Sequence, residues 1–122
     1  MSSLEILKLS GGELMPDYLV QIVLAPETIA TYVAKPQNRE EMARYVIENL
    51  GGKIKGFWYA LGDYDVVIVE TLPNNVSAAA HGIACAASGA FKVFKTTPLL
   101  SVNEGIEAMK KASKAGYKPP SK

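Results

Sequence analysis

Hydrophobic positions along the chain alternate between strand-like and helix-like spacing. Short apolar runs rich in β-branched and aromatic residues predict four strands, at residues 18–24, 54–61, 64–72 and 91–100. Apolar residues at helical spacing between these runs predict a short helix from 26 to about 35, a longer one from 39 to 50, a third over 76–87 and a last one from 102 to about 115. The resulting order is typical of an α+β, ferredoxin-like βαββαβ fold with a four-stranded antiparallel sheet, extended by a C-terminal helix.

Capping and turn residues support these boundaries. Asn38 followed by Glu41, and Ser101 followed by Glu104, have the spacing of a capping box at a helix start. The pair Gly62-Asp63 predicts a two-residue hairpin loop between the second and third strands, because glycine accepts the positive φ that such turns require.

Both faces of the predicted sheet are apolar. In the first strand one face carries Tyr18, Val20, Ile22 and Leu24, and on the other face Leu19 and Val23 flank only Gln21. The main helices can cover one face, so we expect a second copy of the chain to cover the other, in a homodimer or higher homo-oligomer. The alternative is that the C-terminal helix or the N-terminal arm folds across this face.

The length of 122 residues fits one domain. We predict an N-terminal arm over residues 1–16, a ferredoxin-like domain over 17–116 and a mobile tail over 117–122. The net charge of +1 provides no field that would attract nucleic acid or an anionic membrane, so neither is an expected partner.

The sequence predicts a cytoplasmic location. A lone Cys85 cannot close a disulfide within the chain, the first residues lack the apolar stretch of an export signal, and no apolar run is long enough for a membrane helix.

Candidate chemical groups gather at the predicted hairpin and on the third helix. Asp63, Tyr64 and Asp65 bring two carboxylates and a phenol to one turn, although aspartate is also common in turns for its backbone hydrogen bonds. His81 is the one side chain whose ordinary pKa lies near neutrality. Cys85 lies one helical turn further on, and the two could hold a metal ion only if other ligands completed the site.

The chain resembles the GYD domain family over roughly residues 17–114. The resemblance is carried by Gly62-Asp63-Tyr64-Asp65, by the surrounding strands over 52–70, by the small-residue helix that follows, and by the segment 95–112. It implies a fold similar to the dimeric α/β barrels, and therefore a sheet-to-sheet dimer, but it implies no substrate.

Two classes of function remain open at this point. The first is a small-molecule site between sheet and helices, or a cofactor-free enzyme that by analogy isomerises, oxygenates or decarboxylates a compact organic substrate without a metal. Its expected catalytic residues are His81, Tyr64 and Asp65, and its expected ligand-binding residues are Trp58, Tyr59 and Asp63. The second is a non-catalytic module for homo-oligomeric assembly or ligand sensing. A pocket of roughly 300 Å³ or more, with His81 and an acid converging on it, would favour the first class.

Overall fold

A four-stranded antiparallel sheet and four helices make up residues 15–121, the part of the chain that the computed structural model describes. The strands are β1 (Asp17–Leu24), β2 (Lys53–Tyr59), β3 (Val66–Thr71) and β4 (Phe91–Leu99). The helices are α1 (Pro26–Ala34), α2 (Arg39–Asn49), α3 (Asn75–Ala87) and α4 (Val102–Ala112). The strand order across the sheet is β2-β3-β1-β4, and every neighbouring pair is antiparallel. This confirms the predicted ferredoxin-like fold. Residues 1–14, which hold nearly all of the predicted N-terminal arm, lie outside the described part.

Three of the four described helices begin at a side-chain cap, and of the two predicted capping boxes only the one at α4 forms in full. The Asn38 side chain accepts hydrogen bonds from the first turn of α2, and the Asn74 side chain does the same for α3. Ser101 and Glu104 form both halves of a capping box at α4. None of the described helices has the length and apolarity needed to cross a membrane.

The hairpin between β2 and β3 is longer than predicted. The Ala60 N–H donates to the Asp65 carbonyl at 2.9 Å, which leaves residues 61–64 as the loop, with Gly62 at φ +114°. The two-residue loop was therefore wrong, although the positive φ at Gly62 was right. Asp65 explains the difference, because its own N–H donates to the Ile22 carbonyl at 2.8 Å and fixes the start of β3 against β1.

One face of the sheet, which we call the closed face, packs against α2 and α3. Alternate side chains of the two central strands are buried there, and Ile47 from α2 and Ala78 from α3 pack against them. The buried apolar strand residues are Tyr18, Val20, Ile22, Leu24, Val66 and Ile68. This row is the one that period-2 alternation places on a single face.

The opposite face, which we call the open face, carries Leu19, Val67 and Val69 as half-buried side chains. Trp58 also lies here, 53% exposed, with its ring directly over Gly56, where an added Cβ would meet the indole at 2.1 Å. Within residues 15–121 no helix packs across this face. Nearly every residue of α4 is exposed, so the C-terminal helix does not cover the open face. The other alternative, the N-terminal arm, falls almost wholly on residues outside the described part and stays a prediction.

Candidate functional site

A buried ion pair joins the centre of the sheet to α3. The alternation that buries Val66 and Ile68 also places Glu70 on the closed face, where its side chain is completely inaccessible to solvent. His81, 2% exposed, faces it from α3. The His81 Nδ1 lies 3.0 Å from Glu70 Oε2, which accepts its hydrogen bond, and 2.9 Å from Oε1, which accepts none of its own. A buried carboxylate is tolerated only when a cation and hydrogen bonds compensate it, so the pair holds both groups in place.

Cys85 and Glu70 both favour the protonated form of His81. Burial alone lowers the pKa of His81, but hydrogen bonds to Cys85 and Glu70, together with the negative charge of Glu70, outweigh burial and raise this pKa from 6.5 to about 9. The Phe94 and His81 rings pack in a T-shaped arrangement, with the ring centroids 5.0 Å apart. At neutral pH His81 is therefore an imidazolium whose Nδ1–H is committed to Glu70.

A cavity of about 70 Å³ lies between the closed face and helices α1, α2 and α3. Most of its wall is apolar or aromatic, contributed by Ile22, Leu24, Tyr32, Met42, Ala43, Val46, Phe57, Tyr59, Val66, Ile68, Phe91 and Phe94. The charged or reactive groups in the wall are Arg39, His81 and Cys85. A few polar groups in a mainly apolar cavity are typical of small-molecule sites. Its volume is well below the roughly 300 Å³ that the sequence analysis expects of a small-molecule site. His81 and the carboxylate of Glu70 do, however, lie together beside it.

Arg39 and Tyr32 stand where this cavity meets a wider groove. The groove, of about 360 Å³, shares both residues with the cavity and is otherwise lined mainly by polar side chains of α1 and the backbone between α3 and β4. The Arg39 guanidinium lies 5.7 Å from the centre of the Tyr32 ring and donates to Gln37 Oε1 at 3.1 Å. The cavity thus has an apolar interior and a cationic mouth.

Two of the six predicted site residues line the cavity. His81 forms its buried wall, and Tyr59, which is largely exposed, forms part of its rim. The ring of Phe57 packs edge-on against Tyr59, with centroids 5.5 Å apart, and helps to orient it. His81 and Tyr59 therefore line the same cavity.

The other four predicted residues lie elsewhere. The Asp65 carboxylate accepts a hydrogen bond from the Leu24 N–H at 2.9 Å and so fastens the end of β1. Asp63 is exposed in the hairpin loop, and Tyr64 is half-buried beside it, outside the cavity wall. Trp58 lies on the open face, because strand alternation sends it away from Phe57 and Tyr59. The expected constellation of His81, Tyr64 and Asp65 is thus not assembled.

The sequence prediction missed Glu70 and Arg39. A signal for Glu70 was present, because it continues the series Val66, Ile68 on the face that the helices cover, and a carboxylate there needs a cation. The single histidine follows within the next helix. Arg39 gave no comparable signal, since an arginine at the start of an amphipathic helix is ordinarily exposed to solvent.

Metal ligands are not grouped in the described residues. Among residues 15–121 no set of three or more His, Cys, Asp or Glu side chains is arranged to hold a metal ion.

The fold and the site define an α+β protein of the ferredoxin-like type with a small apolar cavity under its helices and a buried imidazolium in the cavity wall. The family model of the GYD domain matches residues 18–109, and the chain belongs to the GYD domain family. Comparison with curated proteins gives no match.

Proposed function

We propose that this protein binds a small organic molecule in the cavity between sheet and helices and acts on it by proton transfer without a cofactor. The observation that supports this is the Glu70–His81 pair beside an apolar cavity. Stability of the core does not require a buried ion pair, because well-packed apolar residues of similar volume are often at least as stabilising.

The chemistry of the pair follows from its geometry. Glu70 occupies Nδ1 of His81, which leaves Nε2 as the ring nitrogen that can meet Cys85 or a ligand. An imidazolium with a pKa of about 9 is a hydrogen-bond donor and a general acid at neutral pH. The reaction class that fits is protonation, or stabilisation of negative charge developing on a bound oxygen, as in isomerisation or decarboxylation.

A thermal-shift screen against small acids, phenols, quinones and divalent metals tests the proposal. A ligand that prefers the folded protein raises the melting temperature by mass action. We expect His81→Gln to abolish the shift that such a ligand causes, whereas Ile83→Ala, an exposed position on the same helix, leaves it unchanged. A ligand-induced shift that is equal in both variants would show that His81 is not part of the binding site.

The open face supports a second candidate, a module for homo-oligomeric assembly or ligand sensing. A row of half-buried apolar side chains continues from β1 to β3 and ends at Trp58, with no described helix over it. A second copy of the same face would bury this row, as in a sheet-to-sheet homodimer. The two candidates are compatible, since they use opposite faces of one sheet.

Light scattering at micromolar concentration tests the assembly. We expect a dimer for the native chain and a folded monomer for Val67→Lys, which places a charge at the centre of the open face. Val33→Lys, at an exposed position of α1, is the matched control and keeps the dimer. A native chain that is strictly monomeric would remove this candidate.

The cytoplasmic location stays a prediction.

A further inference from the structure

The charge distribution around the cavity is uneven. At its inner wall His81 is balanced by Glu70, so the pair adds no net charge. At its mouth Arg39 has no acidic side chain within ion-pair distance among residues 15–121. Among the described residues no aspartate, glutamate or lysine lines the cavity, and Glu27 is the acid in the wall of the adjoining groove. Arg39 is therefore the uncompensated charge in the described cavity wall.

The guanidinium of Arg39 is held in position while part of it stays available. Its Nη1 is committed to Gln37, and the Tyr32 ring lies beside the guanidinium carbon. The remaining N–H groups form a planar set of donors that matches a carboxylate in geometry and charge. Because the residue is half-buried, an anion bound there is screened less by water than one at an exposed arginine.

The volume of the cavity limits the size of the part of the ligand that lies beyond the carboxylate. An apolar cavity of about 150 Å³ is known to hold benzene. The cavity here has about half that volume, at about 70 Å³, which suits a short aliphatic chain rather than an aromatic ring. Its inner wall is apolar apart from His81 and Cys85, so this chain carries few polar groups.

We infer that the ligand of this cavity is a short-chain carboxylic acid, bound with its carboxylate on Arg39 and its aliphatic body between the sheet and α2, towards His81. This inference names the ligand class of the proposed site and rests on the proposed function.

Titration calorimetry with matched acids and amides tests the inference. Propionate, butyrate and isovalerate are each compared with their neutral amides at constant ionic strength, and benzoate with benzamide serves as a size probe. We expect each short acid to bind the native chain at least about ten-fold more tightly than its amide, because a charge-assisted hydrogen bond is lost with the amide. Benzoate should bind more weakly than butyrate.

Two variants test whether Arg39 causes the preference for acids over amides. Arg39→Gln should bring the affinity for each acid down to that for its amide. Arg44→Gln lies on the same helix, removes the same charge and breaks only an exposed pair with Glu40, so it should keep the native preference for acids. The ratio of acid to amide affinity is measured within each variant, which separates it from any change in stability.

The possible outcomes distinguish the two proposals. If amides bind as tightly as acids, or if Arg39→Gln and Arg44→Gln lower acid binding equally, a ligand site remains but the carboxylate assignment is wrong. If benzoate binds more tightly than butyrate, the short-chain assignment is wrong. If no acid and no amide binds, the short-chain acid assignment is wrong, and the thermal-shift screen with phenols and quinones decides separately whether the proposed function holds.

Discussion

The two faces of the sheet are built from the same strands but satisfy their charged groups in different ways. On the closed face Glu70 and His81 form an ion pair that is almost completely buried. On the open face Asp17 and Lys55 form a pair of similar length, 2.9 Å, whose side chains remain 32% and 50% exposed. Because water screens the second pair and not the first, equal distances correspond to very different energies. A short distance between charged atoms therefore indicates a strong interaction in this protein only where the pair is also buried.

Removing His81 should produce the largest effect on stability. His81→Ala leaves the Glu70 carboxylate buried without a cation, and we expect a loss of about 3–5 kcal/mol in the free energy of unfolding at pH 7, measured by urea denaturation. Ile83→Ala on the exposed side of α3 should change it by less than about 0.5 kcal/mol. A loss below about 1 kcal/mol for His81→Ala would contradict a charged pair on the closed face.

The pH dependence of stability should separate the two ion pairs. The pKa of His81 is raised from 6.5 to about 9 in the folded chain, so its contribution is complete below about 6.5 and is lost as pH rises through about 9. This corresponds to a loss on the order of 3 kcal/mol in the free energy of unfolding between about pH 6.5 and 9.

The exposed pair titrates in a different range. Burial raises the pKa of Asp17, but hydrogen bonds from Thr71 and Lys55 and the Lys55 charge outweigh burial and hold that pKa below 3.8. Its contribution is lost only in acid.

Urea denaturation at a series of pH values checks this expectation. His81→Gln should remove the decline between neutral and alkaline pH, whereas Lys55→Gln should leave it unchanged. An equal decline in the native chain and in His81→Gln would mean that another group causes it.

Matched valine substitutions compare apolar packing on the two faces of the sheet. Val20 is completely buried on the closed face, and Val67 is half-buried on the open face of the neighbouring strand. We expect Val20→Ala to lower the free energy of unfolding by about 2 kcal/mol, from lost burial and the cavity left behind. In the monomeric chain Val67→Ala should cost less than about 1 kcal/mol. Equal losses would indicate that the open face is covered in the protein as measured.

Asp65 should give an intermediate effect. Its half-buried carboxylate accepts the Leu24 N–H, and Asp65→Ala leaves that backbone donor unpaired at a cost of about 1–3 kcal/mol. Asp63→Ala in the exposed loop should be neutral within about 0.5 kcal/mol. Thermal unfolding of the two variants checks this, and equal losses would remove the structural role assigned to Asp65.

The exposed pair should give the smallest effect. We expect Lys55→Ala to change the free energy of unfolding by about 0–1 kcal/mol, and less at high salt, because the pair is screened by water. Urea denaturation at low and high salt checks this. A loss as large as that of His81→Ala would overturn the contrast between the faces.

Local patterns predicted most of the fold. Alternation over 18–24 marked both faces of β1, and Asn38 and Ser101 marked the starts of α2 and α4. These signals work because strand alternation and helix capping depend on neighbours within a few residues. The hairpin loop was mispredicted because Asp65 is held by β1, which is distant along the chain.

The candidate site was predicted only in part for the same reason. The sequence by itself determined that His81 lies on a small-residue helix and that the sheet carries more apolar surface than its helices can cover. Only the tertiary structure decided that Glu70, rather than Asp65 or Tyr64, pairs with His81, and that Arg39 stands at the mouth of the cavity. Alternation and capping fix which way a side chain points, whereas the partner of a buried charge depends on how separate elements pack in space.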